Sequence, residues 1–251
     1  MSRFAGKTAI VSGGSRDIGR AVCVKLAREG ANVVINYHSN AAQAEDTLAE
    51  IEKAGGKAII AKADVTKPEE VTALVDAAVK AFGNDIHLLV NVAGGMVERR
   101  PLDAMDYDFF EHVMRLNMTS TFLLTKAVVP HMPEGSAIVN FASQAGRDGG
   151  GPGASAYATS KGAVMTFTRS MAKELGPKGI RVNSLCPGMI ATTFHDKFTK
   201  DEVRQNVANA TPLRRQGIAH EPADAAAYLL SDEASFITGT NVDINGGTFF
   251  S

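Results

Sequence analysis

Short apolar runs rich in β-branched residues alternate along this chain with longer segments of helical periodicity. The predicted strands lie at residues 8–12, 32–36, 57–62, 87–92, 137–141, 181–185 and 241–244. The predicted helices lie at about 18–29, 41–54, 67–82, 107–131, 157–175 and 221–230. Strand sequences such as AIVS, VVIN and HLLVNV are almost continuously apolar, which is typical of parallel strands covered by helices on both faces. The alternation predicts one doubly wound α/β domain over residues 1–251, with a parallel sheet of about seven strands.

Charge and cysteine usage argue against several other classes of protein. The 26 basic and 27 acidic residues give a net charge of -1, whereas binding to nucleic acid or to a membrane surface usually needs a basic excess. Cys23 and Cys186 stand in apolar surroundings and are predicted to be buried small side chains. The six histidines lack ligand-like spacing, so no metal site is expected. No stretch resembles a signal peptide or a membrane span, and we expect a cytoplasmic protein that acts on a small molecule.

The first predicted strand runs directly into a glycine-rich turn, SGGSRDIG at residues 12–19, and a helix follows. Such a turn lets the backbone approach a pyrophosphate, and the helix N-terminus supplies unpaired N–H groups and partial positive charge. The spacing between Gly13 and Gly19 departs from the GxGxxG fingerprint. The segment predicts a dinucleotide site in a Rossmann-type fold, with an ordinary strand-to-helix turn as the alternative.

The end of the second strand carries the side chain that selects the nucleotide ribose in many dinucleotide sites. NAD-preferring sites often have an acidic residue there, and this chain has Asn36, followed by Tyr37. A carboxylate that would repel a 2′-phosphate is therefore absent, while Arg16 and Ser39 could bind that phosphate. The pattern favours NADPH, with NADH as the other possibility and a solvated surface position as the alternative for Arg16.

Tyr157 and Lys161 open a later helix in the sequence YATSK, and Ser143 precedes them at the end of a strand. Residues i and i+4 share one helix face, so the phenol and the ammonium can meet at one point. A phenol with a pKa of about 10 is a poor base near neutrality. A neighbouring ammonium is expected to lower the pKa of Tyr157, and Ser143 can hold the same substrate oxygen by a hydrogen bond. These residues predict proton exchange with an alcohol or carbonyl while a nicotinamide carries the hydride.

The sequence resembles the short-chain dehydrogenase/reductase family in its single-domain form, over essentially the whole chain. The segments that carry the resemblance are SGGSRDIG, the pair Asp64-Val65, NVAG at 91–94, Asn117, Ser143, YATSK, PGMIAT and ITGTNVDINGG. The resemblance implies an NAD(P)(H)-dependent oxidoreductase acting on CH–OH or C=O groups. It also implies a homotetramer or homodimer that pairs through the helices near 107–131 and 157–175. A dinucleotide-sensing binding protein without catalysis is the alternative outside this class, and such a protein could lose Ser143, Tyr157 or Lys161.

The resemblance also implies roles for individual residues. Asn117 completes a catalytic tetrad with Ser143, Tyr157 and Lys161 by positioning a water that relays protons from Lys161. Asp64 and Val65 border the adenine. Together with the turn and the ribose end, the predicted cofactor contacts are Gly13, Ser15, Arg16, Ile18, Gly19, Asn36, Tyr37, Ser39, Asp64, Val65, Asn91, Ala93, Gly94, Tyr157, Lys161, Pro187, Gly188, Ile190 and Thr192.

Two positions depart from the family pattern. Asp17 stands where the family usually has the middle glycine of the turn, and a carboxylate close to a pyrophosphate would repel it. We expect Asp17 to cap the following helix instead, a role that suits its residue type. Val92 stands where the family often has a second asparagine, which is expected to alter local hydrogen bonding more than the chemistry.

Substrate contacts are expected in three segments: GMVERR at 95–100, the loop at 144–155, and a lid at about 188–220 that contains Phe194, His195 and Phe198. Arg99, Arg100 and Arg147 fall in or beside these segments. They favour a small anionic substrate, with solvated loop arginines as the alternative. The candidate substrate contacts are Gly95, Arg99, Gln144, Arg147 and His195.

Three of these segments, AGGMVERRPL, GGGPGASAY and ATTFHDK, resemble bacterial reductases of 4-deoxy-L-erythro-5-hexoseulose uronate. That resemblance makes His195 a candidate substrate contact; otherwise it is a residue of the lid surface. The alternatives within the same family are a 3-oxoacyl-carrier-protein reductase and a sugar dehydrogenase.

Overall fold

A parallel sheet of seven strands forms the centre of the computed structural model, which describes residues 2–250. Its strands, in chain order, are β1 (Thr8–Ser12), β2 (Asn32–Tyr37), β3 (Lys57–Lys62), β4 (Leu88–Asn91), β5 (Ala137–Phe141), β6 (Arg181–Pro187) and β9 (Asn241–Ile244). The spatial order is β3-β2-β1-β4-β5-β6-β9, and every pair is parallel. Two short strands, β7 (Ile190–Ala191) and β8 (Gly217–Ile218), form a separate pair that the sequence did not predict. The predicted doubly wound α/β fold is confirmed.

Ten α-helices connect or follow these strands within the described residues. They are α1 (Asp17–Arg28), α2 (Ala41–Lys53), α3 (Pro68–Phe82), α4 (Tyr107–Met114), α5 (Ser120–Val128), α6 (Ala145–Asp148), α7 (Ser155–Leu175), α8 (Thr193–Phe198), α9 (Asp201–Ala210) and α10 (His220–Leu230). The single helix predicted at 107–131 contains a π-helical segment, Arg115–Thr119, between α4 and α5. None of the helices in the described part is both long and apolar enough to cross a membrane.

The apolar strands are buried because helices cover both faces of the sheet. Neighbouring residues of β1 point to opposite faces, so Val11 packs with α1 and α10 while Ile10 packs with α3, α5 and α7. All five residues of β1 are buried. Cys23 and Cys186 are buried free thiols, as predicted.

The strand order reverses between β1 and β4, because the chain returns from β3 at one edge to pair with the other side of β1. Helices on opposite faces leave a crevice at the carboxyl ends of the strands at such a point, and ligands of open α/β sheets bind there. The glycine-rich turn follows β1, and Ser143 follows β5 at this same edge.

Candidate active site

A cavity of about 780 Å³ opens at the carboxyl ends of the central strands. It brings together the glycine turn, the end of β2, the segment after β4, the start of α7 and the lid. Every predicted catalytic, cofactor and substrate residue lines it except Asn91, Asn117 and Arg147. Residues separated by more than a hundred positions in the sequence therefore meet in one concave site.

At Gly13 and Gly19 the glycine turn leaves little room for a side chain. A Cβ atom on Gly19 would lie 2.0 Å from the carbonyl oxygen of Gly13, and one on Gly13 would lie 3.1 Å from the Cα atom of Ala93. Gly13 also has a φ of +64°, which favours glycine. No side chain caps the start of α1, so its first N–H groups remain available to an anion.

Asn36 fastens this turn to the sheet. Its side chain is buried, and its Oδ1 accepts the N–H of Gly13 at 3.3 Å. Its Nδ2 donates to the carbonyl oxygens of Ala61 and Ala63 at 3.3 and 3.1 Å. The amide is thus occupied by the backbone of two neighbouring segments, the glycine turn and the end of β3. His38 and Ser39, which follow β2, also line the cavity.

The catalytic candidates meet where α7 passes the end of β5. The Nζ atom of Lys161 is buried, donates to the carbonyl oxygen of Phe141 at 2.7 Å, and lies 5.8 Å from the centre of the Tyr157 ring. The hydroxyl of Ser143 accepts the N–H of Ala145 at 3.2 Å and lines the same cavity as the Tyr157 phenol. One helix turn therefore presents a phenol and an amine to the same point of the cavity.

Burial controls the ionisation of this pair. It raises the pKa of Tyr157 above its ordinary value of 10, although the hydrogen bond from Ser143 acts in the opposite direction. It lowers the pKa of Lys161 from 10.5 to about 8. We expected the Lys161 ammonium to lower the pKa of Tyr157. In the cofactor-free chain this expectation is wrong, because burial raises the pKa of the phenol by more than its polar neighbours lower it. At neutral pH the phenol carries its proton, which suits donation to a carbonyl oxygen.

Asn117 lies in the π-helical segment and is fully buried. Its Nδ2 donates to the carbonyl oxygens of Gly95 and Val113 at 2.9 and 3.0 Å, and its Oδ1 accepts the N–H of Gly95 at 3.0 Å. A Cβ atom on Gly94 would lie 2.5 Å from this Oδ1 and 3.2 Å from the Nζ of Lys161. Asn117 therefore holds the Gly94–Gly95 backbone against the catalytic lysine, and its predicted role in positioning a water stays a prediction.

Comparison with known proteins agrees with this arrangement. The family model described as Enoyl-(Acyl carrier protein) reductase matches residues 13–248. Glucose 1-dehydrogenase 2 of Bacillus subtilis (strain 168) is 39% identical over 97% of this chain and 95% of that protein. A short-chain dehydrogenase/reductase from Serratia marcescens BCRC 10948 is 33% identical, with a TM-score of 0.92 over 98% of this chain and 99% of that one. The chain belongs to the short-chain dehydrogenase/reductase family. It is accordingly an NAD(P)-dependent oxidoreductase.

A further solved structure is similar to this chain over its full length. It is described as an NADH-dependent reductase responsible for alginate metabolism. It is 34% identical to this chain, with a TM-score of 0.90 and complete coverage of both chains.

The cavity of this short-chain dehydrogenase/reductase fits a nicotinamide dinucleotide. The bare glycine backbone and the uncapped start of α1 suit its pyrophosphate, as they do in other dinucleotide-binding folds. Ser12 is a contributor that sequence reasoning missed: its hydroxyl accepts the N–H groups of Val92 and Ala93 at 3.0 and 3.1 Å. The sequence feature that could have identified Ser12 is a hydroxyl residue at the end of β1, opposite the end of β4. Ser12 holds the segment after β4 beside the glycine turn.

Asn91 does not reach the cavity, which corrects its prediction as a cofactor contact. Its Nδ2 donates to the Oδ1 of Asn140 at 2.8 Å and to the Oγ1 of Thr125 at 3.3 Å. The Nδ2 of Asn140 in turn donates to the Oγ1 of Thr168 at 2.9 Å. This buried chain of hydrogen bonds joins β4 and β5 to the helices on one face of the sheet.

Aromatic rings of the lid cover Tyr157. Phe194 lies 5.8 Å from Tyr157 and 5.0 Å from Phe198, measured between ring centres. Arg99 fastens this lid, because its Nε donates to the carbonyl oxygen of Phe198 at 3.3 Å and its guanidinium also donates to that of Pro152 at 3.1 Å. Arg99 therefore lines the cavity and closes one side of it.

His195 is a neutral side chain at physiological pH. Burial lowers its pKa to about 4, and the positive charges of Arg204 and Arg99 act in the same direction. Its Nδ1 lies 2.9 Å from the hydroxyl of Thr199. The imidazole can thus offer a hydrogen bond to a substrate but no charge.

The other two candidate arginines are engaged in structural contacts. Arg147 is largely buried, pairs with Asp243 at 2.7 Å and donates to a backbone carbonyl at the start of β9, so its prediction as a substrate contact is corrected. Arg100 pairs with Glu98 and Asp106 and stacks over Phe109. Of the three arginines, Arg99 lines the cavity.

Asp17 does not cap α1, which corrects the expectation from its residue type. The N-cap position belongs to Arg16, and no side chain forms a cap hydrogen bond there. The Asp17 carboxylate turns instead towards Thr193, the first residue of α8 in the lid.

Proposed function

We propose that this enzyme uses NADPH to reduce a carbonyl group of a small, polar, anionic substrate to the alcohol. The best candidate is 4-deoxy-L-erythro-5-hexoseulose uronate. The observation that carries the proposal is the Arg99 guanidinium, which lines the cavity together with Tyr157. A guanidinium has five N–H donors, and two backbone carbonyls leave some of them free for a carboxylate. The similarity to the alginate-metabolism reductase supports the same substrate class.

The proposed roles follow from the geometry. Ser143 and Tyr157 hold the substrate carbonyl oxygen by hydrogen bonds, and Tyr157 gives its Oη proton to that oxygen. Bound nicotinamide supplies the hydride. Lys161, protonated below about pH 8, places positive charge next to the reacting oxygen. Arg99 orients the substrate carboxylate, while the lid aromatics exclude water from the reacting atoms.

The preference for NADPH rests on the residues that line the ribose end of the cavity. Tyr37 ends β2 there, His38 and Ser39 follow it, and none of the three is an acidic residue. The nearby carboxylate of Asp64 accepts hydrogen bonds from the backbone N–H and the hydroxyl of Thr66 at 3.0 and 2.7 Å. A 2′-phosphate would therefore meet neutral donors on the β2 side of this end, while hydrogen bonds from Thr66 engage one oxygen of the Asp64 carboxylate.

Oxidation of a neutral sugar is the second candidate, and the similarity to glucose 1-dehydrogenase 2 favours it. A neutral sugar gains little from a guanidinium, whereas loss of the lid contacts of Arg99 affects both substrates, so a rise in KM that is larger for the uronate than for glucose in Arg99→Met separates the two candidates. Reduction of a 3-oxoacyl thioester is a third outcome that the same assay covers.

The test measures oxidation of NADPH and NADH by the purified enzyme with the uronate, with 3-oxoacyl thioesters and with neutral aldehydes. Oxidation of glucose is measured in the reverse direction. Tyr157→Phe should lower kcat by a factor of about 10² to 10⁴ without weakening nucleotide binding. Arg99→Met should raise KM for the uronate by about tenfold to a hundredfold. Arg100→Met, which removes an arginine outside the cavity, is the matched control and should leave KM unchanged.

Some outcomes would reject the substrate and retain the enzyme class. Faster turnover of glucose or a thioester than of the uronate, together with equal KM values in Arg99→Met and wild type, would do so. A higher kcat/KM with NADH than with NADPH would reject the cofactor proposal.

We also propose that the chain forms a homotetramer through α5 and α7. Phe122 of α5 is substantially exposed and packs edge-to-face against Phe167 of α7, with ring centres 6.4 Å apart. An aromatic pair at the surface of two neighbouring helices is typical of an interface between subunits. Analytical ultracentrifugation of wild type and Phe122→Glu tests this, and an unchanged sedimentation coefficient would count against it.

A further inference from the structure

Asp17 stands in the glycine turn but makes its main contacts with the lid. The turn follows β1 and the lid follows β6, and two strands, β4 and β5, lie between them in the sheet. At about 4.8 Å between neighbouring strands, the ends of β1 and β6 are about 14 Å apart. A contact between turn and lid therefore passes over the carboxyl ends of β4 and β5, which are part of the floor of the cavity.

The contact consists of several hydrogen bonds. The Asp17 carboxylate accepts the N–H of Thr193 at 3.2 Å and its hydroxyl at 2.5 Å. The guanidinium of Arg16 donates to the same carboxylate at 2.8 Å and also to the Thr193 hydroxyl. Three side chains thus close a small polar ring between the two walls of the cavity.

The backbone of Asp17 is strained at this position. Its φ is +50°, a left-handed conformation that glycine adopts readily and aspartate adopts at a cost. A glycine here would remove the strain and could not reach the lid. The pairing with Arg16 also offsets the negative charge that Asp17 brings close to the expected pyrophosphate.

We propose that Asp17 is a clasp: it ties α8 to the glycine turn, so that a bound nicotinamide nucleotide leaves only when the Asp17–Thr193 contact opens. The clasp acts on nucleotide release and does not depend on which carbonyl compound is the substrate. Because release of the nucleotide often limits turnover in enzymes with lids, the clasp also contributes to kcat.

The experiment measures the release rate of the reduced nucleotide by stopped-flow fluorescence. NADPH or NADH, whichever binds the wild type more tightly, is chased with an excess of its oxidised form. Asp17→Gly should speed release by about tenfold, the effect of losing roughly one charge-assisted hydrogen bond. Thr193→Val removes the hydroxyl alone and should speed release less. Thr193→Ser keeps the hydroxyl and should restore the wild-type rate.

A double mutant tests whether the two residues act through one contact. Asp17→Gly with Thr193→Val should release nucleotide more slowly than the product of the two single effects predicts, because the Thr193 hydroxyl keeps only its hydrogen bond from Arg16 in Asp17→Gly. Thermal unfolding of each variant verifies that it is folded, and Thr193→Val keeps the test decisive if Asp17→Gly does not fold.

Three results would overturn the clasp. Unchanged release rates in both single variants would show that the contact does not control release. Slower release in Asp17→Gly, lessened by salt, would show that the carboxylate acts by repelling the pyrophosphate. Release rates that multiply in the double mutant would show that Asp17 and Thr193 act independently.

Discussion

Replacing the catalytic lysine with methionine should make the cofactor-free protein more stable while abolishing its activity. Lys161 is buried, and burial holds its pKa at about 8 instead of 10.5. Below pH 8 the folded chain therefore contains a buried ammonium whose main compensation is one hydrogen bond to the carbonyl oxygen of Phe141. Methionine has a similar length and no charge, so it fills the same space without that cost.

The magnitude follows from the displacement of the pKa. The cost of the buried charge at pH 7 is about 3 kcal/mol, because each pH unit of displacement corresponds to about 1.4 kcal/mol. Loss of the hydrogen bond from Lys161 to Phe141 lowers the free energy of unfolding by about 1 kcal/mol, which reduces the gain. Lys161→Met should therefore gain about 2 kcal/mol in free energy of unfolding, or about 5 °C in Tm for a chain of this size.

The effect depends on pH in a defined direction. The unfolded chain keeps the Lys161 proton up to about pH 10.5, whereas the folded chain releases it near 8. The unfolded state holds more protons in this window, so the wild type becomes more stable as the pH rises from 8 to 10.5. The advantage of Lys161→Met should shrink to about zero near pH 10.

Urea unfolding at fixed protein concentration, at about pH 7 and pH 10, measures both effects. Lys173→Met replaces an exposed lysine on the same helix and is the matched control, with no pH-dependent gain. The reasoning is refuted if Lys161→Met is no more stable than the wild type at pH 7, or if its advantage is the same at both pH values.

Three further substitutions test individual contacts. Gly94→Ala should lower kcat/KM about a hundredfold, because the new Cβ collides with the Asn117 amide that holds the Gly94–Gly95 backbone. Gly176→Ala is the control: its Cβ would lie in open space, and the kinetics should not change. Arg147→Met should lower the free energy of unfolding by about 3 kcal/mol by leaving Asp243 unpaired, and a raised KM at unchanged stability would contradict this. Asn36→Asp should destabilise the fold by about 3 kcal/mol, since a carboxylate would face two carbonyl oxygens of the neighbouring strand; a stable variant that now prefers NADH would contradict this.

The sheet and the meeting of Tyr157 with Lys161 in the cavity could be predicted because both depend on local patterns. A continuous apolar run identifies a buried strand wherever it stands, and the four-residue spacing of Tyr157 and Lys161 places them on one helix face. The lid was harder to predict. Its helices α8 and α9 are short, so their periodicity is weak, and the sequence predicted a lid at about 188–220 without either helix.

Partners of individual polar side chains could not be predicted in the same way. Arg147 and Arg99 have the same chemistry and both stand near the expected substrate mouth. Arg147 pairs with Asp243, whereas Arg99 donates to two backbone carbonyl oxygens, one in the loop and one in the lid. Which partner each arginine contacts depends on where β9 and α8 lie in the folded chain. No short segment of the sequence predicts that position. The raised pKa of Tyr157 was missed for a related reason, because burial is a property of the packed molecule.

The irregular turn of helix between α4 and α5 has a consequence for how this chain tolerates change. A π-helical segment corresponds to one residue inserted into an α-helix. Deleting one residue from Arg115–Thr119 would restore a regular helix and would leave α5 free to pack on the sheet. It would also change the direction of the Asn117 side chain relative to α5, away from the loop that it fastens. A shorter and more regular version of this helix is therefore compatible with the fold but not with the site.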